Sequence, residues 1–242
     1  MTVLLLAGTG EARQLAKELS VMRPDTIASL SGATRSRAAL GLETRIGGFG
    51  GEAGFRVFLA KKKISAILDA THPFAAAITE RTARVAQELG IPYLQLLRPR
   101  WRAGPQDDWV EIEREEEAAL IIPGAACVFL ATGRQTLARF TGLAGRRTYC
   151  RQIDPPEHLF PFAGGEFIIG RPPFSVEQEV ELFARLGVDW LVVKNAGGAA
   201  SHTKLDAARQ LGIGVLMIKR PATPQSARVE TVKEALEWVA QL

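Results

Sequence analysis

Three short segments of this 242-residue chain combine residue types that could do chemistry. The first is Gly8-Thr9-Gly10-Glu11, set between an apolar run, Val3 to Leu6, and a helix-like Arg13-Gln14-Leu15-Ala16. A buried strand that turns through glycines into a helix N-terminus offers bare backbone N–H groups to an anion, as dinucleotide pyrophosphates require. Gly8 and Gly10 fit the first two positions of a GxGxxG fingerprint, but Arg13 stands at the third, where close helix–strand packing favours Gly or Ala. The same glycines would also serve a turn that needs them only for its dihedral angles.

About twenty residues downstream, Thr26 to Leu30 reads as a second strand, after which an NAD-binding fold carries an acid for the ribose 2′-hydroxyl. No acid follows here. The segment is Ser31-Gly32-Ala33-Thr34-Arg35-Ser36-Arg37, whose small hydroxyls and guanidiniums suit a dianionic 2′-phosphate. The cofactor expected is therefore NADPH, with Gly8, Thr9, Gly10 and Glu11 at the pyrophosphate turn and Ser31, Gly32, Thr34 and Arg35 at the 2′-phosphate loop. The plainer alternative leaves Arg35 and Arg37 as solvated loop charges.

The second segment, Asp69-Ala70-Thr71-His72-Pro73-Phe74, follows a strand and opens a helix that Thr71 could cap, with Pro73 in its first turn. Its place at a strand C-terminus puts Thr71, His72 and Pro73 in reach of the nicotinamide or its phosphates; equally, they are only a helix start with a surface histidine. In the third segment an apolar strand, Trp190 to Val193, delivers Lys194 and Asn195 into the small-residue loop Ala196-Gly197-Gly198-Ala199-Ala200-Ser201, ahead of His202-Thr203-Lys204. A lysine beside exposed loop amides makes a receptor for carboxylates. A flexible loop with incidental charges is the alternative, but burying Lys194 without a partner would be costly.

The elements that must position these segments alternate. Strands are expected at Val3–Leu6, Thr26–Leu30, Thr44–Ile46, Ile64–Asp69 and Ile91–Leu97, with a glycine cluster at Gly47–Gly51 and helices at Glu52–Lys62 and Phe74–Leu89. This βαβ rhythm predicts a parallel, doubly wound sheet. It breaks at the proline-rich, charged stretch from Arg98 to Asp108, then resumes. A helix is expected at Glu113–Ile121, a strand at Cys127–Ala131, and a turn at Thr132-Gly133-Arg134 into another helix. Further strands fall at Thr148–Ile153, Phe167–Ile169, Trp190–Val193 and Val215–Ile218, with helices at Val176–Leu186, Lys204–Leu211 and Val232–Gln241. The predicted architecture is α/β: two doubly wound, Rossmann-like parallel-sheet lobes with an interdomain cleft. Residues 1–100 form the NADPH-binding domain, 101–112 a linker, and 113–242 a second α/β domain that completes the substrate site.

Composition is that of an ordinary globular protein, with 47% hydrophobic residues and a net charge of +4 from 30 basic and 26 acidic side chains. No stretch approaches the roughly 18 apolar residues of a membrane span, and Met1 leads directly into a strand, so a cytoplasmic protein is expected. Cys127 and Cys150 read as reduced core thiols, and the three histidines lack metal-ligand spacing, so no metal site is expected. Basic residues are dispersed rather than interleaved with aromatics, which argues against nucleic acid and membrane partners, and nothing demands a dimer; a monomer is expected. A small anionic substrate accounts for the mild basic excess.

Taken together, Gly8-Thr9-Gly10-Glu11-Ala12, Ser31-Gly32, Asp69-Ala70-Thr71-His72-Pro73-Phe74-Ala75 and Arg98-Pro99 with Trp101 closely resemble the precorrin-6A reductase (cobalt-precorrin-6A reductase) family of cobalamin biosynthesis. Lys194-Asn195 with Gly197-Gly198, Lys204-Leu205 with Ala207-Ala208-Arg209, and Met217-Ile218 with Arg220-Pro221 extend the resemblance over nearly the whole chain. One departure is Ala196, where the family commonly has Ser or Thr. The resemblance implies NADPH-dependent reduction of a macrocycle double bond, converting precorrin-6A, or its cobalt form, to the 6B product. An acidic tetrapyrrole would then meet Arg98, Arg134, Lys194, Asn195, Gly197, Gly198 and Lys204, with Lys194 as the candidate proton donor. Two other readings stay open: a different NADP-dependent oxidoreductase of an anionic metabolite, and a non-catalytic NADP-sensing module. Replacing Arg35 with Ala should raise the KM for NADPH far more than that for NADH in steady-state assays; equal effects would rule out the phosphate contact.

Overall fold

The computed structural model describes residues 1–32 and 39–242, so Thr34 and Arg35 lie outside the described residues. The chain forms two compact units, one made of Met1–Pro99 with Pro221–Leu242 and the other of Arg100–Arg220. The first unit contains β1 (Thr2–Leu6), α1 (Gly10–Met22), β2 (Ile27–Leu30), β3 (Glu43–Ile46), α2 (Gly51–Lys61), β4 (Ile64–Asp69), α3 (Ala76–Glu88) and β5 (Tyr93–Leu96). The second contains β6 (Trp109–Ile112), α4 (Ala118–Ile121), β7 (Val128–Leu130), β8 (Thr148–Gln152), β9 (Gly165–Ile169), α5 (Val176–Leu186), β10 (Trp190–Lys194), α6 (Thr203–Leu211) and β11 (Gly214–Ile218). The chain then returns to the first unit as β12 (Arg228–Val229) and α7 (Val232–Ala240).

Each unit holds one six-stranded sheet, ordered β12-β5-β4-β1-β2-β3 and β6-β11-β10-β7-β8-β9. Every strand pairing among the described residues is parallel. A parallel sheet is covered on both faces, which is why β1, β4, β10 and β11 are near-continuous apolar runs rather than alternating ones. In the first unit, Val3 and Leu5 pack with Ala12, Leu15, Ala16 and Leu19 of α1 and with Ala235 and Val239 of α7. Leu4 and Leu6 face the opposite side and pack with Phe55 and Leu59 of α2 and Val85 and Ala86 of α3. In the second unit, Leu191 and Val193 pack with Phe183 of α5 and with Leu205, Ala207 and Ala208 of α6.

The stretch expected as a linker, 101–112, carries β6, paired with β11 in register Val215↔Trp109 to Ile218↔Ile112. Its single buried strand residue, Ile112, gives little alternation to read, and the prolines and charges around it dominate the sequence signal. The expected boundary between 1–100 and 113–242 likewise differs from the observed units, because β12 and α7 close the first sheet and cover α1. The helix expected at Glu113–Ile121 is a 3-10 turn, Glu115–Glu117, leading into the single turn of α4. After Gly133 the chain runs as a 3-10 segment, Arg134–Leu143, broken at Phe140. Both cysteines are buried and free. Replacing Val239 with Ala should lower stability by about 1–3 kcal/mol through the cavity left against α1, read as a shift of the urea midpoint.

Candidate functional site

In both sheets the winding reverses beside a central strand, between β1 and β4 in the first unit and between β7 and β10 in the second. At such a point the loops after the two strands leave toward opposite faces, and a crevice opens at the strand C-termini where α/β proteins bind ligands. Two of the three sequence segments, Gly8–Glu11 and Asp69–Phe74, are the loops after β1 and β4.

Thr9 ties them together. Its Oγ1 caps α1 by accepting from Ala12 N–H at 3.1 Å and donates to the carbonyl of Ala70 at 2.9 Å. The Ala70 N–H donates to the Leu6 carbonyl at 2.9 Å, closing the pair of loops. Gly8 has φ +149°, and a Cβ built there would meet nothing within 4 Å. The backbone at Gly8 therefore borders open space at a helix N-terminus, which fits a pyrophosphate. Arg13 points away from the sheet, and Ala12 and Ala16 make the close helix–strand contact expected of the third fingerprint glycine.

On the β4 side, Asp69 is fully buried and accepts from Thr71 N–H at 3.0 Å, Thr71 Oγ1 at 2.7 Å and Tyr93 Oη at 2.9 Å. Burial and the Asp69 carboxylate push the Tyr93 phenol far above its ordinary range. Thr71 thus serves the Asp69 turn and does not cap the following helix; α3 starts at Ala76 with Ala75 at its cap position. The helix begins five residues beyond Thr71, out of the one-residue offset at which a hydroxyl caps the first turn. His72 Nδ1 accepts from Phe74 N–H at 3.2 Å, which leaves the proton of the neutral ring on Nε2. Ser31 and Gly32 are exposed at the end of β2, the next strand along. Glu11, in the first turn of α1, forms an ion pair with Arg98 Nη1 at 2.5 Å, so these two predicted site residues partner each other.

A basic residue absent from the expectations stands beside this edge. Arg45 of β3 donates to Ser29 Oγ at 2.8 Å and to the Gly47 and Gly48 carbonyls, and lies 3.8 Å over the Phe49 ring. It locks the glycine cluster against β2. The adjacent run of Gly47 to Gly51 was its only sequence signal.

In the second unit, Lys194 ends β10 and donates to Thr136 Oγ1 at 3.2 Å, with Glu115 Oε1 at 3.9 Å. Burial lowers its pKa below the ordinary value of 10.5, against the opposing pull of Glu115. Asn195 is only 3% exposed, and its side chain is fully engaged: Oδ1 accepts from Trp101 N–H at 2.9 Å and Nδ2 donates to the Trp101 carbonyl at 3.0 Å. Arg220 holds the same loop through the carbonyls of Asn195 and Ala196, at 2.7 and 3.0 Å. Asn195, expected at the substrate, therefore clamps the loop that carries Gly197 and Gly198, whose φ values are +68° and +81°. Trp101 Nε1 donates to the Gly198 carbonyl at 3.0 Å, and Lys204 Nζ lies 5.6 Å over the Trp101 ring and donates to the Ser201 carbonyl. Arg134 is exposed at the start of its 3-10 segment. Lys194 and Lys204 thus have separate partners.

Two Rossmann-ordered parallel sheets, each with polar loops at its reversal point, define a two-lobed, Rossmann-like α/β protein. A family model described as precorrin-6x reductase CbiJ/CobK matches residues 2–240. A precorrin-6A reductase from Rhodococcus erythropolis is 41% identical over 99% of this chain and 98% of its own length. A cobalt-precorrin-6A reductase from Priestia megaterium is 28% identical, covering 97% and 96%. The solved structure of a CobK precorrin-6A reductase superposes with a TM-score of 0.95 at 37% identity, covering 100% of this chain and 96% of that one. The chain belongs to the precorrin-6x reductase family and is an oxidoreductase of cobalamin biosynthesis. Replacing Thr9 with Val, which keeps the shape and removes the hydroxyl, should cost about 1–2 kcal/mol of stability and raise the KM for the nucleotide, measured by urea unfolding and initial rates.

Proposed function

We propose that this chain catalyses the NADPH-dependent reduction of one ring double bond of precorrin-6A, giving precorrin-6B. The observation that carries this reading is the glycine turn of the first unit, which borders open space at the N-terminus of α1 and is fastened to the Asp69–Phe74 loop; in the second unit a partly buried lysine ends β10. The names of the matched relatives supply the substrate. Identity of 41% to a precorrin-6A reductase against 28% to a cobalt-precorrin-6A reductase favours the metal-free macrocycle.

Gly8, Thr9 and Gly10 would hold the pyrophosphate, Ser31, Gly32, Thr34 and Arg35 the 2′-phosphate, and Thr71, His72 and Pro73 would border the nicotinamide. Once held there, NADPH supplies the hydride. In the second unit the macrocycle carboxylates would meet Lys204, Arg134 and the backbone of Gly197 and Gly198, on a loop that Asn195 and Arg220 hold in shape. Arg98 acts indirectly, by fixing Glu11 and so the start of α1.

Lys194 donates the proton to the carbon next to the one that receives the hydride, so the double bond gains two hydrogens overall. Its lowered pKa makes the ammonium a stronger acid near neutral pH, and Thr136 fixes its direction. The buried, free thiols, with Cys150 pushed up to about 12 by burial, accord with a reducing compartment, and we place the enzyme in the cytoplasm.

A proton donor must be protonated to act, so kcat should fall as pH rises through the Lys194 pKa, which lies below 10.5. Replacing Lys194 with Met should remove that alkaline limb and reduce kcat by about 10² or more while leaving the KM for NADPH unchanged, in an anaerobic assay of NADPH oxidation with precorrin-6A. A wild-type pH profile in this variant would take the proton role from Lys194.

A further inference from the structure

Of the three consecutive glutamates in the 3-10 turn Glu115–Glu117, only the first is buried. Glu116 is exposed, and Glu117 turns back to the N–H groups of Glu113 and Arg114, whereas Glu115 is 5% exposed. A carboxylate taken out of water must be met by positive charge, or it gives up its own. Two cations meet this one. Arg139 Nη1 stands 3.3 Å from Oε2, and Lys194 Nζ stands 3.9 Å from Oε1.

Each cation arrives for a local reason. Val193 packs with α5 and α6, so by alternation Lys194 points to the other face of the sheet, where it meets the 3-10 segment Arg134–Leu143. In a 3-10 helix, residues three apart project on the same side. Thr136 and Arg139 are such a pair: Thr136 Oγ1 accepts from Lys194 Nζ at 3.2 Å, and Arg139 pairs with Glu115. Besides Glu115, the titratable and charged groups acting on Lys194 are Arg139 and, from β8, the Cys150 thiol. That thiol, pushed up to about 12 by burial, is neutral near neutral pH. Local charge is therefore set by Glu115, Arg139 and Lys194.

The proton step asks two opposite things of this charge. Before the transfer the ammonium must stay charged although burial favours the neutral amine, and the Glu115 carboxylate opposes that loss. When one carbon of the double bond has accepted hydride, the electron pair on its neighbour takes a proton. One N–H bond of Lys194 breaks, one C–H bond forms, and a neutral amine remains until solvent returns a proton. At that point a lone buried carboxylate would pull the proton back. Arg139 balances Glu115 once Lys194 is neutral, so the three side chains pass from one net positive charge to none and no unpaired ion is left inside.

We infer that Glu115 is a positioning residue for the proton donor, holding the Lys194 ammonium charged and in place at the end of β10, and that Arg139 sets the strength of that hold. The inference rests on the proton role given to Lys194 above.

Two measurements on the full chain test it. In protein labelled with ¹³C at the lysine ε-carbon, the Lys194 resonance is assigned by its loss in Lys194→Met. Glu115→Gln should lower the pH midpoint of that resonance by about 1 pH unit, and Arg139→Gln should raise it. The alkaline fall of kcat, followed anaerobically with NADPH and precorrin-6A, should move with it. It goes to lower pH in Glu115→Gln, because the donor loses its proton sooner, and to higher pH in Arg139→Gln, with the KM for NADPH unchanged in both. A side chain that only braced the 3-10 turn would not move the midpoints in opposite directions. Arg139 is largely exposed, so its variant reports on folded protein whatever Glu115→Gln does to stability. Lys194 midpoints that stay at the wild-type value, or that move together, would overturn the inference. Midpoints that move as expected while the kcat profile keeps its wild-type position would keep the charge balance and take the proton role from Lys194 instead.

Discussion

A parallel sheet that winds first one way and then the other must leave two adjacent strands whose following loops depart to opposite faces. Everything functional in this protein hangs on that constraint. In the first unit the reversal lies between β1 and β4, with α1 covering one face and α2 and α3 the other. Neither loop can cover the strand ends, so their backbone groups and polar side chains stay available to a ligand. The Thr9 hydroxyl, bonded at once to Ala12 N–H and the Ala70 carbonyl, is the point where the two loops are fastened.

The second unit repeats the order with a different chemical outcome. Its reversal point carries a partly buried lysine at the end of β10 and Gly133, with φ +72°, after β7, and the loop beyond β10 is held by Asn195 bonded to Trp101 and by Arg220 bonded to the Asn195 and Ala196 carbonyls. The result is a division of labour in which one sheet end offers backbone donors and open space, and the other offers a charged, partly desolvated side chain. A parallel sheet suits both, because its strand ends are set by register and do not depend on loop composition.

The edge strands show how the two sheets are completed. The strand that follows β5 in sequence, β6, joins the second sheet beside β11, while β12, which follows β11, joins the first sheet beside β5. Each sheet thus takes its sixth strand out of sequential turn, and the chain passes twice between units. β12 is only two residues long and β6 buries only Ile112 of its four residues inside a proline-rich, charged stretch, and this is why neither was legible as a strand. Strands buried on both faces, such as β1, β4 and β11, announced themselves as apolar runs, and α5 and α7 fall where helices were expected, with the structure adding the capping boxes of Ser175 with Gln178 and Thr231 with Glu234.

The sequence by itself determined the parallel α/β class, most element positions, the glycine turn, and Lys194 as a charge delivered by an apolar strand, because each of these depends on residues near one another in the chain. Only the tertiary structure decided which strands close each sheet, that Glu11 and Arg98 partner each other, that Asn195 holds Trp101, and that Arg13 is tolerated because Ala12 and Ala16 face the sheet. It alone showed that the amide of Gln152, in an ordinary strand, is buried without a hydrogen-bond partner. Hydrogen-bond partners and their absence are properties of groups brought together from distant parts of the chain, and local patterning carries no record of them.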